Sequence, residues 1–245
     1  MPAKLFRGLL FLACAWCAAS ASAHDYLWES QQTRTHLIEL FTSEGCSSCP
    51  PAEAWLSKLK TNAHLWKDFV PVAFHVDYWD NLGWPDRFAA KPWTKRQRTY
   101  ATAWNTTTVY TPEFILDGRE WHAGEIPLAS TDRPGVLKVA LAQNGTATVS
   151  FKPEAAGTRS FDVYLATLGF SLNSDVKAGE NRGRKLQHDF VILSLVKEPM
   201  TAPAAEVRVS IDALRQKQSE LGAVAVWITE PGRTEPVQAV AGWLR

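Results

Sequence analysis

The chain has 245 residues, 46% of them hydrophobic, with 26 Lys and Arg against 25 Asp and Glu. That length and apolar content support a buried core and exclude a disordered chain. The near-neutral balance excludes a strong charge-driven attraction to nucleic acid or to an anionic membrane surface, so partners must be read from sites.

Residues 1–23 join a basic start (Lys4, Arg7), an apolar stretch from Leu9 to about Ala19 and a small-residue end at Ala21-Ser22-Ala23. This is the pattern of a secretory signal peptide. The apolar run falls short of the roughly 20 residues of a transmembrane helix, and no later segment reaches that length, so no stable membrane insertion is expected after cleavage. The mature chain is expected to begin near His24 and to be exported, into the periplasm of a Gram-negative source or otherwise secreted. Cleavage also removes Cys14 and Cys17, which leaves Cys46 and Cys49 as the mature cysteines.

In chain order, His36 to Phe41 is almost continuously apolar, as a strand buried on both faces would be. Pro50 and Pro51 suit the first turn of a helix, and Ala52, Trp55, Leu56 and Leu59 then fall on one helical face. A second strand is predicted over Val70 to Val76, ending in Asp77-Tyr78-Trp79-Asp80-Asn81. The next helix carries Trp93, Tyr100, Ala101 and Trp104 on one side, with Lys95, Arg96 and Arg98 on a solvated face. Thr111-Pro112 leads into a strand over Glu113 to Leu116 and a turn at Asp117-Gly118. Ile126 to Gln143 reads as a further helix stopped by Asn144-Gly145. Beyond Gly145 the apolar residues alternate (Ala147, Val149, Phe151; Phe161, Val163, Leu165; Val207, Val209, Ile211), and Phe190 to Val196 and Ala223 to Thr229 are uniformly apolar, so strands are predicted. A boundary is placed near residue 145, between an α/β half and a mostly β half.

The context of a strand before and a helix after makes the Cys46-Ser47-Ser48-Cys49 motif informative. A cysteine at a helix N-terminus faces unpaired N–H groups and the positive end of the helix dipole, which favour thiolate over thiol. Cys46, just outside the helix, is expected to attack and Cys49, in the first turn, to resolve. Parallel strands bring residues 74–80 to the same sheet edge, where ligands of open α/β sheets bind. Thr111-Pro112 enters its strand there, and its position raises the expectation of a cis bond. His75 and Asp77 are candidates for auxiliary roles at this edge. Trp79 and Trp84 are candidates for an apolar substrate wall, and Asp80 for a turn cap. The long connection from Asn173 to His188 carries Arg182, Arg184 and His188, which are expected to dock the two halves or to border the active edge.

The segment Thr111-Pro112-Glu113-Phe114-Ile115-Leu116-Asp117-Gly118 resembles the cis-proline segment of thioredoxin. Residues 39–56 (ELFTSEGCSSCPPAEAWL), 74–84 (FHVDYWDNLGW), 95–101 (KRQRTYA) and 179–193 (GENRGRKLQHDFVIL) together resemble the exported thioredoxin-like family catalogued as domain of unknown function 1223. The resemblance implies a thioredoxin-like fold; with the boundary near residue 145, the expectation is a thioredoxin-like α/β domain over residues 24–145, followed by a mostly β, sandwich-like region over 146–245. It names no substrate. Gly45 stands where thioredoxin has tryptophan, and Ser47-Ser48 replace Gly-Pro, so oxidant, reductant and isomerase are not separated by the motif.

The leading expectation is an exported thiol-disulfide oxidoreductase that acts on thiol- or disulfide-containing proteins or small thiols and needs no organic cofactor. Two alternatives stay open. One is a binding module with a structural disulfide between Cys46 and Cys49. The other is copper or zinc handling by Cys46, Cys49 and His75, an incomplete ligand set to which no metal is assigned.

Overall fold

The computed structural model describes residues 26–128, 130–142, 144–155, 160–201, 204–208 and 221–244. The segment expected to be a signal peptide, Gln143, and Val209 and Ile211 of an expected strand lie outside the described residues. The elements are β1 (Tyr26–Glu29), β2 (His36–Thr42), α1 (Cys49–Lys58), β3 (Phe69–His75), α2 (Lys91–Ala103), β4 (Glu113–Leu116), β5 (Arg119–Trp121), β6 (Gly135–Leu141) and β7 (Thr146–Pro153). They continue with β8 (Ser160–Phe170), β9 (Leu172–Asp175), β10 (Lys185–His188), β11 (Val191–Thr201), β12 (Ala204–Arg208), β13 (Leu221–Thr229) and β14 (Pro236–Leu244). The protein is thus mixed α/β and mostly strand.

β2 and β3 pair in parallel from His36↔Phe69 to Thr42↔His75, and every residue of both strands is buried. Successive side chains of a strand point to opposite faces. Thr42 reaches Glu53 of α1, whereas Glu39, three residues earlier, reaches Arg96 and Tyr100 of α2. The two helices therefore cover opposite faces. β4 runs antiparallel to β2 and folds back as β5 through Asp117 and Gly118, which take the positive φ values of 49° and 82° that a tight hairpin turn requires.

The sheet does not stop at the N-terminal half. Its order is β14-β13-β8-β11-β3-β2-β4-β5, with β11 joining β3 in parallel at Val191↔Ala73, so strands from both sides of residue 145 form one eight-stranded mixed sheet. A four-stranded antiparallel sheet, β1-β6-β7-β12, packs on its C-terminal part. Leu137, Val139 and Phe151 of the small sheet share a core with Val163, Val226 and Val240 of the large one. β9 and β10 form a separate two-stranded ribbon.

The helix expected over Ile126 to Gln143 is not formed. Pro127 and Pro134 interrupt helical hydrogen bonding, and residues 135–141 bury every second side chain (Leu137, Val139, Leu141) while Lys138 is exposed. Asn144-Gly145, read as a helix stop, is the turn of the β6–β7 hairpin, with Gly145 at φ 80°.

Arg96 also departs from the expected solvated face. It lies four residues before Tyr100, on the same side of α2, and its side chain is only 10% exposed. Its Nε and Nη2 donate to the fully buried Glu39 carboxylate at 2.6 and 3.0 Å, and Tyr100 Oη also donates to Glu39. The guanidinium lies 5.2 Å from the ring centroids of Tyr164 in β8 and Trp227 in β13. One buried ion pair therefore ties β2 and α2 to the C-terminal strands.

Candidate functional site

Cys46 and Cys49 form a disulfide with a Cα–Cα separation of 5.4 Å at the start of α1. The preceding turn is closed by the Cys46 amide donating to Ser43 O at 3.2 Å, and the Cys49 amide donates to Cys46 O at 3.3 Å. Pro50 and Pro51 occupy the first helical positions, as their lack of N–H permits. The Thr111–Pro112 bond is cis, and Cys46 Sγ lies 3.8 Å from Thr111 O and 3.3 Å from Ser48 Oγ. Disulfide, Thr111 and Pro112 thus meet at one edge of the large sheet.

Both cysteines are 0% exposed, although Ser47 and Ser48 between them face solvent. Two segments flank the disulfide. Trp79 donates its indole N–H to Thr111 Oγ1 at 2.8 Å, and a Cβ at Gly45 would sit 2.9 Å from Trp79 Cβ, so a side chain at position 45 would push Trp79 away. The second segment is the turn between β9 and β10. Asn181 Nδ2 donates to the carbonyls of Glu44 and Cys46, each at 2.9 Å, and Glu180 accepts the Ser47 amide at 3.0 Å. Gly179 and Gly183 bracket this turn at φ 71° and 83°.

The long connection borders the disulfide through Asn181 and Glu180 rather than through the basic residues expected to do so. Arg184 acts one step removed, donating to Asn181 Oδ1 at 2.7 Å, and Arg182 is exposed. His188 is buried behind the disulfide, between Glu53 and Glu44. Its Nδ1 donates to Glu53 Oε2, Glu53 Oε1 accepts Thr42 Oγ1–H at 2.6 Å, and His188 Nε2 lies 3.3 Å from Glu44 Oε1. Burial opposes a charge on this imidazole, yet the Glu53 carboxylate and Glu44 outweigh burial and push it up to about 10.

The remaining expected residues separate from the disulfide. His75 donates from Nδ1 to the buried Asp86 at 2.6 Å, and its ring stands 5.1 Å from that of His188. Asp77 accepts Thr94 Oγ1–H at 2.5 Å and so engages α2. Trp84 donates to Glu44 at 2.6 Å, and Asp80 accepts the Asp86 amide at 3.1 Å, the turn-capping role expected of it. Bonded to each other, the two sulfurs offer no thiolate, so ligation by Cys46, Cys49 and His75 concerns the reduced pair. Among the described residues the grouping of metal-capable side chains is Glu53, His75 and His188.

One further titratable group adjoins this edge. Glu113 follows Pro112 directly and accepts Gln97 Nε2–H at 2.6 Å, and burial pushes its carboxyl up to about 7 from an ordinary 4.5. The folded state therefore keeps a proton that the unfolded chain releases, so stability falls as pH rises through this window. The loss at pH 8 relative to pH 4 is ~2–3 kcal/mol from this group. Urea denaturation of Glu113→Gln across pH 4–8 is expected to lack that contribution, and a variant whose pH profile superimposes on wild type would refute it.

No curated protein sequence is significantly similar to the chain. Among solved structures, AGR_C_4864 from Agrobacterium tumefaciens is 26% identical, with 88% of this chain and 96% of that one aligned at a TM-score of 0.60. HBP35 of Porphyromonas gingivalis aligns over 88% of this chain and 76% of that one at a TM-score of 0.59; at 13% identity this likeness concerns the fold alone. Residues 37–229, which run from the second residue of β2 to the end of β13 and include the disulfide, Pro112 and the Asn181 turn, match the family described as protein of unknown function DUF1223, and the chain belongs to that family.

Proposed function

We propose that the protein is an exported thiol-disulfide oxidoreductase of the thioredoxin-like kind, acting on thiol- or disulfide-containing proteins. The observation that carries the reading is the disulfide at the N-terminus of α1 with Cys46 Sγ 3.8 Å from the carbonyl of Thr111, next to cis Pro112. In the reduced pair, the Cys46 thiolate attacks one sulfur of a substrate disulfide and expels the other as thiolate. Cys49 then attacks Cys46 Sγ in the mixed disulfide, which releases the second substrate thiol and closes the Cys46–Cys49 bond. The substrate gains two electrons and the cysteine pair loses them, and the reverse sequence oxidises a dithiol. The positive end of the α1 dipole favours the thiolate, and no organic cofactor enters. Thr111, Pro112 and Trp79 wall the approach to Cys46, and Trp84 braces the turn through Glu44.

The Cys49→Ser variant is expected to accumulate a mixed disulfide with a reactive substrate through Cys46, while Cys46→Ser loses exchange. Full exchange activity in Cys46→Ser would refute the reading. A second reading, a binding module with a permanent disulfide, is favoured by the complete burial of both sulfurs. It predicts that the pair stays oxidised under physiological reductant while partner capture persists.

A further inference from the structure

Behind the disulfide, five ionisable side chains meet without solvent. Glu44, Glu53, His75, Asp86 and His188 are exposed by 1%, 7%, 1%, 4% and 1%. They bring three carboxylates against two imidazoles, so even with both imidazoles protonated the interior holds one negative charge in excess. Buried charge without a counter-charge is costly; with the imidazoles neutral, as metal ligands must be, a divalent cation supplies the same two positive charges as two bound protons would. The cleft beside Glu53 is lined by Lys58, Lys60, Arg184 and Lys185, of which Lys60 is engaged by Asp189 at 2.8 Å and Arg184 by Asn181 at 2.7 Å.

The imidazoles are also oriented as ligands. Asp86 accepts from His75 Nδ1 at 2.6 Å, which leaves Nε2 directed inward, buried and without a hydrogen-bond partner. His188 donates from Nδ1 to Glu53, and its Nε2 is likewise buried without a hydrogen-bond partner, 3.3 Å from Glu44 Oε1. A carboxylate on the far nitrogen, as Asp86 is on His75, is the arrangement that fixes ring orientation and raises basicity in metal sites. Ligand atoms of Glu53, His75 and His188 all lie within 4.8 Å of one another. A cleft of about 500 Å³, lined by Pro50, Glu53, Ala54, Lys60 and Arg184 among others, gives a path from solvent to Glu53.

We propose that Glu53, His75 and His188 bind one first-row divalent transition-metal ion of the Zn²⁺ type, with Asp86 holding the His75 imidazole. Two nitrogens and a carboxylate match that class, with Ca²⁺ and Mg²⁺ disfavoured by the imidazoles and Cu⁺ by the lack of thiolate. The ion would pin α1, β3 and β10 together beneath the disulfide, independently of the cysteines.

The test uses the mature chain with its disulfide intact, stripped by chelator and titrated with Co²⁺ and then Zn²⁺. The expected result is one Co²⁺ per chain with visible absorption bands, displaced by one Zn²⁺, and a higher Tm with Zn²⁺. His75→Gln is expected to abolish stoichiometric binding, Asp86→Asn to weaken it roughly 10–100-fold, and the Cys46→Ser/Cys49→Ser double variant to leave it unchanged. Wild-type protein with native near-ultraviolet dichroism that takes up no metal overturns the proposal. So does binding that survives both His75→Gln and Asp86→Asn, or binding that disappears with the cysteines.

Discussion

Replacing Arg96 by alanine is expected to lower the free energy of unfolding by about 3–5 kcal/mol, the largest single loss among the substitutions considered. The cost comes from what remains. Glu39 is fully buried in β2, and its oxygens accept from Arg96 and from Tyr100, so removing the guanidinium strands a carboxylate inside the protein. Arg96 also packs against Phe74, Tyr100, Tyr164 and Trp227, which adds lost contact to lost charge. Arg96→Lys keeps the charge but not the planar fork and is expected to fall between wild type and alanine. Urea denaturation at neutral pH measures all three proteins. A loss below ~1 kcal/mol for Arg96→Ala, the range of an exposed pair, would show that this contact does not tie the two parts of the sheet together.

Asn181→Ala is expected to speed reduction of the disulfide by dithiothreitol about 30-fold. Both sulfurs are covered, so a reductant needs a flanking segment to lift, and the turn between β9 and β10 is one of the two. Asn181 is its main fastening, with one amide donating to two buried carbonyls at 2.9 Å. Each such bond is worth roughly 1 kcal/mol net. Losing both makes opening easier by ~2 kcal/mol, or about 30-fold. Glu180→Gln, which alters an exposed contact with the Ser47 amide, is expected to have a much smaller effect. An unchanged reduction rate in Asn181→Ala would place the barrier elsewhere.

Much of the fold was legible because local signals and burial agree. The apolar runs at 36–41 and 70–76 became β2 and β3, the paired prolines opened α1, and Asp117-Gly118 made the β4–β5 turn. The cis bond at Pro112 and its place beside Cys46 followed from chain order. What stayed hidden depends on pairing at long range. Glu39 sits inside an apolar run, and nothing local says that Arg96, 57 residues on, will neutralise it. The helix read over 126–143 failed because its apolar spacing also fits period two, and Pro127 and Pro134 decide between them. The joining of β11 to β3 was invisible because uniform apolar runs do not name their neighbours. At the site, His75 and His188 were visible as residues, yet their common cluster was not, since 113 positions separate them. Asn181 and Glu180 carried one usable signal, the flanking Gly179 and Gly183 that shape a tight turn.

The reduction potential of the Cys46–Cys49 pair, measured by equilibration against glutathione or dithiothreitol, tests the proposed exchange most directly. A pair that cycles is expected between roughly −120 and −270 mV, the range of known exchange catalysts. A value below about −300 mV, characteristic of structural disulfides in exported proteins, would contradict the account and leave the pair as a staple.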